Sequence, residues 1–374
     1  MIRIKDSKQV YCVHTLIAIV IACIMGMNYK NADYNSYGQM YSAVENFSIN
    51  NFDHVGVVWY GYSADVGYNI LTKLFLDYAI DYTWFRFIIF IAGFLTINII
   101  AHRISSYSSV ILLGYVIYPC VMDVIAFRNY FLEIFTYIAF YYYCFSKKNN
   151  SRNYIFWLFL GMTFHSSGLL LVPFALIVWL KKISNKYIDI LLNVFIIIGL
   201  LMPAYAPFLL DVRSIAADSI TLDVARRYAG YAEKEVNYGY LVMYIFTIFP
   251  LLILHHVRNK IKKCKLLKCE RIYINNTYNL FWYFCMLMPL APFVTAISRM
   301  PRNAFIIFMS AISIYLYRKR MSLINNAICI CLLVIMFIGF NWIEMGQSDV
   351  VINYHYIMYD NYLNDFISGF FSGV

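Results

Sequence analysis

Apolar positions in this chain fall in long unbroken stretches, with short polar segments between them. The stretches lie at 10–27 and at about 84–101, 108–122, 124–145, 154–180, 187–207, 239–256, 276–297, 302–317 and 322–342. Continuous runs of roughly 15–22 residues predict helices that cross a hydrocarbon core of about 30 Å. A β-barrel would instead alternate inward and outward positions, which these runs do not. Two runs depart from the simple pattern. Tyr68–Ile80 reaches only about 20 Å as a helix, too short to cross, and is expected to lie along the membrane surface. The run 154–180 is long for one span and short for two, and carries His165-Ser166-Ser167-Gly168 near its middle. It predicts two short arms that turn at those residues.

Charge then orients the helices. Basic residues gather in 1–9, His102-Arg103, SKKNNSR, KKISNK, HHVRNKIKKCKLLKCER and RKR, which together hold 20 of the 30 Lys and Arg. Only Asp6, Asp189 and Glu270 of the 20 acids accompany them. Cytoplasmic loops carry such an excess of Lys and Arg. With Tyr68–Ile80 on the outer surface, every one of these segments falls inside. If that run crossed, most would switch to the wrong side. The expectation is an all-α polytopic membrane protein of about eleven spans (10–12), N-terminus cytoplasmic, forming a single membrane domain over residues 1–374. Outer segments are expected at about 28–66 and 208–238, with an outer tail at about 343–374.

Composition agrees with that class. The 374 residues are 62% hydrophobic and 13% charged, about half the charged share of a soluble domain. The net charge of +10 belongs to the inner loops and does not indicate nucleic acid. The nine cysteines lie almost wholly in apolar runs without CxxC or Cys/His ligand spacing, so neither a disulfide framework nor a zinc site is expected.

Candidate chemistry sits on the outer side. At membrane depth, polar side chains face the protein interior or a water-filled cavity. His165, with Ser166, is suited to holding a phosphate oxygen or shuttling a proton; the plainer reading is a turn whose polar groups bond nearby backbone. Arg128, in MDVIAFRNYFLEIF, and Arg299 and Arg302, in AISRMPRNAFIIF, stand where the positive-inside bias disfavours arginine. Guanidinium groups suit bidentate binding of phosphate or diphosphate. The alternative is pairing with a neighbouring acid (Asp123 or Glu133 for Arg128) or with lipid headgroups. In NADYNSYGQMYSAV, Asp33 leads Tyr34, Tyr37 and Tyr41, whose spacing makes one aromatic helical face, suited to sugar rings or to an interfacial belt. Asp65 opens the short amphipathic segment ADVGYNIL. The second outer loop adds Arg213, Arg226, Arg227 and Tyr231, either a cover over the site or an ordinary solvated loop.

The ordered motifs DYNSY, DVGYNIL, an arginine opening a mid-chain helix, FHSSGLLLVP and late outer arginines resemble the EpsG-type, Wzy-like polymerases of bacterial exopolysaccharide and O-antigen. The likeness runs over roughly residues 30–310. The chain departs from that family's pattern at Asp65, where Glu is usual, at Arg128-Asn129, where Arg-Gln is usual, and at Glu133, in a stretch usually small and apolar. What the resemblance implies is a GT-C-like helical architecture and polymerisation at the outer face of the bacterial cytoplasmic membrane. The implied substrates are undecaprenyl-diphosphate-linked oligosaccharide units as donor and acceptor, with no cofactor and no metal. A chain-length regulator and a flippase of the same pathway are the implied partners. Its chemistry would be substitution at the anomeric carbon, with arginines holding the departing diphosphate and a carboxylate or His taking the acceptor's proton. A metal-dependent polyprenyl-phosphate-sugar glycosyltransferase would call for paired acids near Asp33, Asp53 and Asp65, and none is adjacent. A flippase would line a cavity open to both faces with cations, and an acyltransferase would need an inward His.

Overall fold

The computed structural model describes residues 8–31, 33–44, 65–146, 150–174, 239–290, 295–319, 355–357 and 359–372, with single positions at 190, 194, 333 and 339. Among these the chain is helical and holds no strand, only an isolated bridge between Asn28 and Asn361. The runs at 187–207 and 322–342 lie almost wholly outside the described residues. So does the second loop, with Arg213, Arg226, Arg227 and Tyr231.

The chain divides into two compact units: Met1–Gly168 with Phe305–Val374, and Leu169–Ala304. In the first, α1 (Lys8–Gly26), α2 (Tyr34–Ala43), α3 (Val66–Asp77), α4 (Tyr82–Ile104), α5 (Ser108–Ile117), α6 (Pro119–Ile125), α7 (Phe127–Phe145) and α8 (Asn150–Phe164) follow in order. Two of them, α1 and α4, are long and apolar enough to cross a membrane; α5 and α6, bent by 48° at their junction, make a third if read as one span. The 12-residue α3 reaches only about 18 Å, short of a crossing.

Pairing within this unit is antiparallel where it matters. Gly26 of α1 abuts the Phe87 backbone of α4 at one end. At the other, His14 Nδ1 lies 3.1 Å from His102 Nε2. Likewise α8 runs back along α7, with Phe164 stacked on Phe131 at 4.5 Å and Trp157 on Tyr142 at 6.1 Å. The ends of α1, α6 and α8 and the starts of α4 and α7 therefore gather at one end of the unit. At the start of α4, Asp81 accepts from Trp84 N at 2.9 Å, a proper N-cap.

The end of α3 needs a residue in the left-handed region. Ile80 N donates to Phe75 O at 3.1 Å and Ala79 N to Leu76 O at 2.8 Å, the paired bonds that close a helix on a left-handed residue. Ala79 supplies it with φ 55°. An L-residue there costs roughly 1–2 kcal/mol. Ala79→Gly is accordingly expected to raise the thermal midpoint of the purified protein; an unchanged or lower midpoint would contradict this account of the turn.

From the C-terminal part, α12 (Phe305–Lys319) packs on α5, where a Cβ at Gly114 would meet Met309 Cε at 2.6 Å. Ser313 Oγ donates to Ser105 Oγ at 2.8 Å. The tail ends in α13 (Tyr362–Ser372), and Asn28 Nδ2 ties the segment before it down by donating to Tyr356 O at 2.7 Å and Asp360 O at 3.1 Å. The second unit holds α9 (Gly239–Lys260), α10 (Lys268–Leu287) and α11 (Thr295–Asn303). There Tyr283 Oη donates to Leu170 O at 2.6 Å, and Met288 and Ile297 are buried together.

Candidate anion site at the start of helix seven

Arg128 stands in the first turn of α7, just past a break at Ala126 (φ −93°, ψ 62°) that ends α6 and starts α7. A cation in a first helical turn opposes the helix dipole, so the placement needs a compensating charge. Asp65 supplies one: Arg128 Nη1 lies 3.3 Å from Asp65 Oδ2, both side chains mostly buried. Asp65 is the N-cap of α3, and Asp is a favoured cap. Yet its carboxylate makes no cap bond and turns to the arginine. The contrast with Asp81, which does cap, marks Asp65 as held for another purpose.

Neither neighbouring acid takes that role. Glu133, five residues on, projects about 140° away around the helix, and Asp123 accepts from Tyr115 Oη at 2.7 Å. Arg128 Nε is buried without a hydrogen-bond partner among the described residues. The guanidinium thus engages Asp65 through one edge. Tyr37 is a second hydrogen-bond partner of the guanidinium; the buried Nε, together with the positive end of the α7 dipole, makes a setting for an anionic oxygen.

The aromatic face of α2 forms as its spacing requires, but it turns onto the protein. Tyr37 sits 5.8 Å from the Arg128 guanidinium and packs edge-on to Phe127. Tyr34 Oη lies 3.0 Å from Thr83 Oγ1, and Tyr41 Oη donates to Ile80 O at 2.6 Å. Burial, reinforced by the Asp81 carboxylate, pushes the Tyr41 hydroxyl up to about 12, so it stays a neutral donor at physiological pH. Asp33 is the N-cap residue of α2 and, like Asp65, makes no side-chain cap bond.

His165 stands at the break expected in the run 154–180: α8 ends at Phe164 and a 3₁₀ segment starts at Ser166. The second arm lies outside the described residues beyond 174. Two contacts fix the end of α8 beside the Arg128–Asp65 pair. Phe164 stacks on Phe131, one turn after Arg128. A Cβ at Gly67, two residues after Asp65, would overlap Thr163 Oγ1. His165 Nδ1 receives Ser167 N at 3.2 Å and faces Ser167 Oγ at 2.8 Å. A backbone N–H can only donate, so Nδ1 accepts and the neutral ring carries its proton on Nε2. Of the two roles expected for His165, this tautomer favours donation to an oxygen. Ser166 is exposed and Ser167 buried.

The EpsG family matches residues 11–359, well over half of the chain. The chain belongs to the EpsG family. No curated protein and no solved structure matches it. Membership suggests a polysaccharide polymerase. In this EpsG-family chain the late arginines lie in the second unit, on α11. Arg299 is exposed there and Arg302 buried. Among the described side chains of that helix, Ile297, Met300 and Pro301 are buried.

One charged residue escaped the sequence reading. Arg86 is fully buried within α4, in the apolar stretch YTWFRFIIF. A lone arginine inside such a run was the available signal, since an ionisable group there is costly unless it has work to do.

Proposed function

We propose that this EpsG-family chain polymerises undecaprenyl-diphosphate-linked oligosaccharide repeat units into a surface polysaccharide at the outer face of the bacterial cytoplasmic membrane. The carrying observation is the Arg128–Asp65 pair. A cation stands at a helix start, paired with one acid, at the end of its unit opposite the basic His102-Arg103. Such a group suits the diphosphate of a lipid carrier at the membrane surface.

In this reading the acceptor hydroxyl of one unit attacks the anomeric carbon of the growing chain. The bond to the diphosphate oxygen breaks, the lipid diphosphate leaves, and the acceptor's proton passes to a carboxylate base. Charge develops on that oxygen, and Arg128 meets it without reorganising. His165 donates Nε2–H to a second phosphate oxygen. Arg299 and Arg302 are further candidate anion ligands on α11, and Tyr37 and Ser166 candidate sugar or phosphate contacts.

Gene deletion followed by gel analysis of surface glycan tests the reading. Loss of long chains with survival of single repeat units is the expected result. Loss of all surface glycan, with lipid-linked units trapped inside, would indicate a flippase instead.

The orientation has its own test, in a variant lacking native cysteines. Cysteine at Asn35, exposed on α2, is expected to react with an impermeant thiol reagent in intact cells, while cysteine at Ser146, after α7, resists it. Labelling at Ser146 from outside would overturn the topology.

For His165, glutamine preserves an N–H near the place of Nε2, whereas alanine preserves none. His165→Ala is expected to slow chain extension about tenfold or more, the loss of one hydrogen bond to a charged group, while His165→Gln stays within a few-fold of wild type. Equal and complete loss in both would assign His165 to proton transfer.

A further inference from the structure

Arg86 is a cation enclosed at the end of the first unit where α1 and α6 stop and α4 and α7 begin. No carboxylate pairs with it among the described residues; its guanidinium is directed instead at backbone carbonyls. Nη1 donates to Asn28 O, and Nη2 donates to Met25 O at 3.3 Å and Val124 O at 3.4 Å. Met25 lies in the last turn of α1 and Val124 in the last turn of α6, where carbonyls lack helical partners and the dipole is negative. One guanidinium thus caps two helices at once. Four rings surround it: Tyr34 at 5.1 Å, Tyr82 and Phe90 at 5.7 Å, and Phe127 at 5.8 Å.

These partners are the supports of the anion site. Tyr34 lies one turn before Tyr37 on α2. Val124 precedes the Ala126 break, and Phe127 is the residue before Arg128. Removing the guanidinium would leave two helix ends and one loop carbonyl without their donor, and would free α2 from the ring stack beneath it.

We propose that Arg86 is a positioning residue for this site: by joining the ends of α1 and α6 to α2, it fixes the α6–α7 break that presents Arg128 and the helix that carries Tyr37. The functional half of this proposal rests on the polymerase reading above; the positional half does not.

Both halves can be tested in membranes. With lipid-linked repeat units as substrate, Arg86→Lys keeps the charge but neither the fork nor the ring stacking, and is expected to lower kcat/KM about tenfold, mostly through KM. If Arg86 acts through Arg128, the double variant Arg86→Lys/Arg128→Lys should be no more than about twofold slower than Arg128→Lys alone, because coupled residues are not additive. Fully multiplicative losses would overturn the proposal. Without reference to activity, cysteine at the buried Met40 of α2 is expected to become at least tenfold more reactive in Arg86→Met, while cysteine at the buried Ala139 of α7 stays protected. Unchanged protection at Met40, or exposure of both positions together, would reduce Arg86 to an ordinary folding residue. If wild-type membranes extend no lipid-linked unit, the polymerase reading falls, and the Met40 and Ala139 pair still decides the positional claim.

Discussion

Arg128→Lys is expected to slow chain extension by about ten- to a hundredfold at matched protein level. Lysine keeps the charge and can still face Asp65, but it is a point charge without the planar fork that meets two oxygens. In wild type one edge of the guanidinium faces Asp65 Oδ2 at 3.3 Å, and buried Nε has no hydrogen-bond partner among the described residues. Those donors are the ones lysine cannot replace. A charge-assisted hydrogen bond in a dry site is worth roughly 1.5–3 kcal/mol, which gives the quoted range. Arg128→Ala should be worse, since it also strands the Asp65 carboxylate without its cation. Asp65→Asn is the informative partner: it should lower activity less than Arg128→Ala, because the cation survives. Rates from membranes with lipid-linked substrate would decide. Wild-type chain length in Arg128→Lys would remove the residue from the diphosphate site, and a larger defect in Asp65→Asn would move the chemistry to the acid.

The second large effect concerns a residue with no side chain. Glycine inside a helix is ordinarily a liability of about 1 kcal/mol against alanine, so Gly67→Ala on a free helix would stabilise. At this position the sign should reverse. A Cβ on Gly67 would overlap Thr163 Oγ1 and come within 2.8 Å of Thr163 Cβ and 2.9 Å of its backbone oxygen. The hydroxyl could swing away; the backbone oxygen can move only with α8. Overpacking of this kind costs roughly 1–3 kcal/mol. Gly67→Val is therefore expected to lower the thermal midpoint and to abolish most chain extension, because α3 carries Asp65 and α8 carries His165. Thr163→Ala should restore Gly67→Ala only in part, since the Thr163 Cβ and carbonyl remain. A Gly67→Ala variant with a raised midpoint and normal glycan would show that the close approach of α3 to α8 is not needed.

The sequence by itself determined the class of molecule. Long apolar runs and the clustering of Lys and Arg require helices and exclude a charged soluble surface, because backbone groups in hydrocarbon must be satisfied within each segment. Helical spacing of Tyr34, Tyr37 and Tyr41 predicted α2, and the polar interruption at His165 predicted a break that the structure has at that residue. The motifs FHSS and DVGY also carried the resemblance to the family that matches the chain.

Tertiary structure alone decided partners. Asp65 and Arg128 are far apart in the chain, and nothing in either neighbourhood favoured that pairing over Asp123 or Glu133. Helix phase and the Ala126 break selected it. The direction of the tyrosine face was equally hidden: spacing puts the rings on one side of α2, but only packing against Thr83, Ile80 and two arginines turns that side inward. In the sequence Gly67 is one letter of DVGY; only the fold sets Thr163 against it. Arg86 lay unremarked in an apolar run because the carbonyls it caps come from the ends of two other helices, and such ends converge only when the chain is folded.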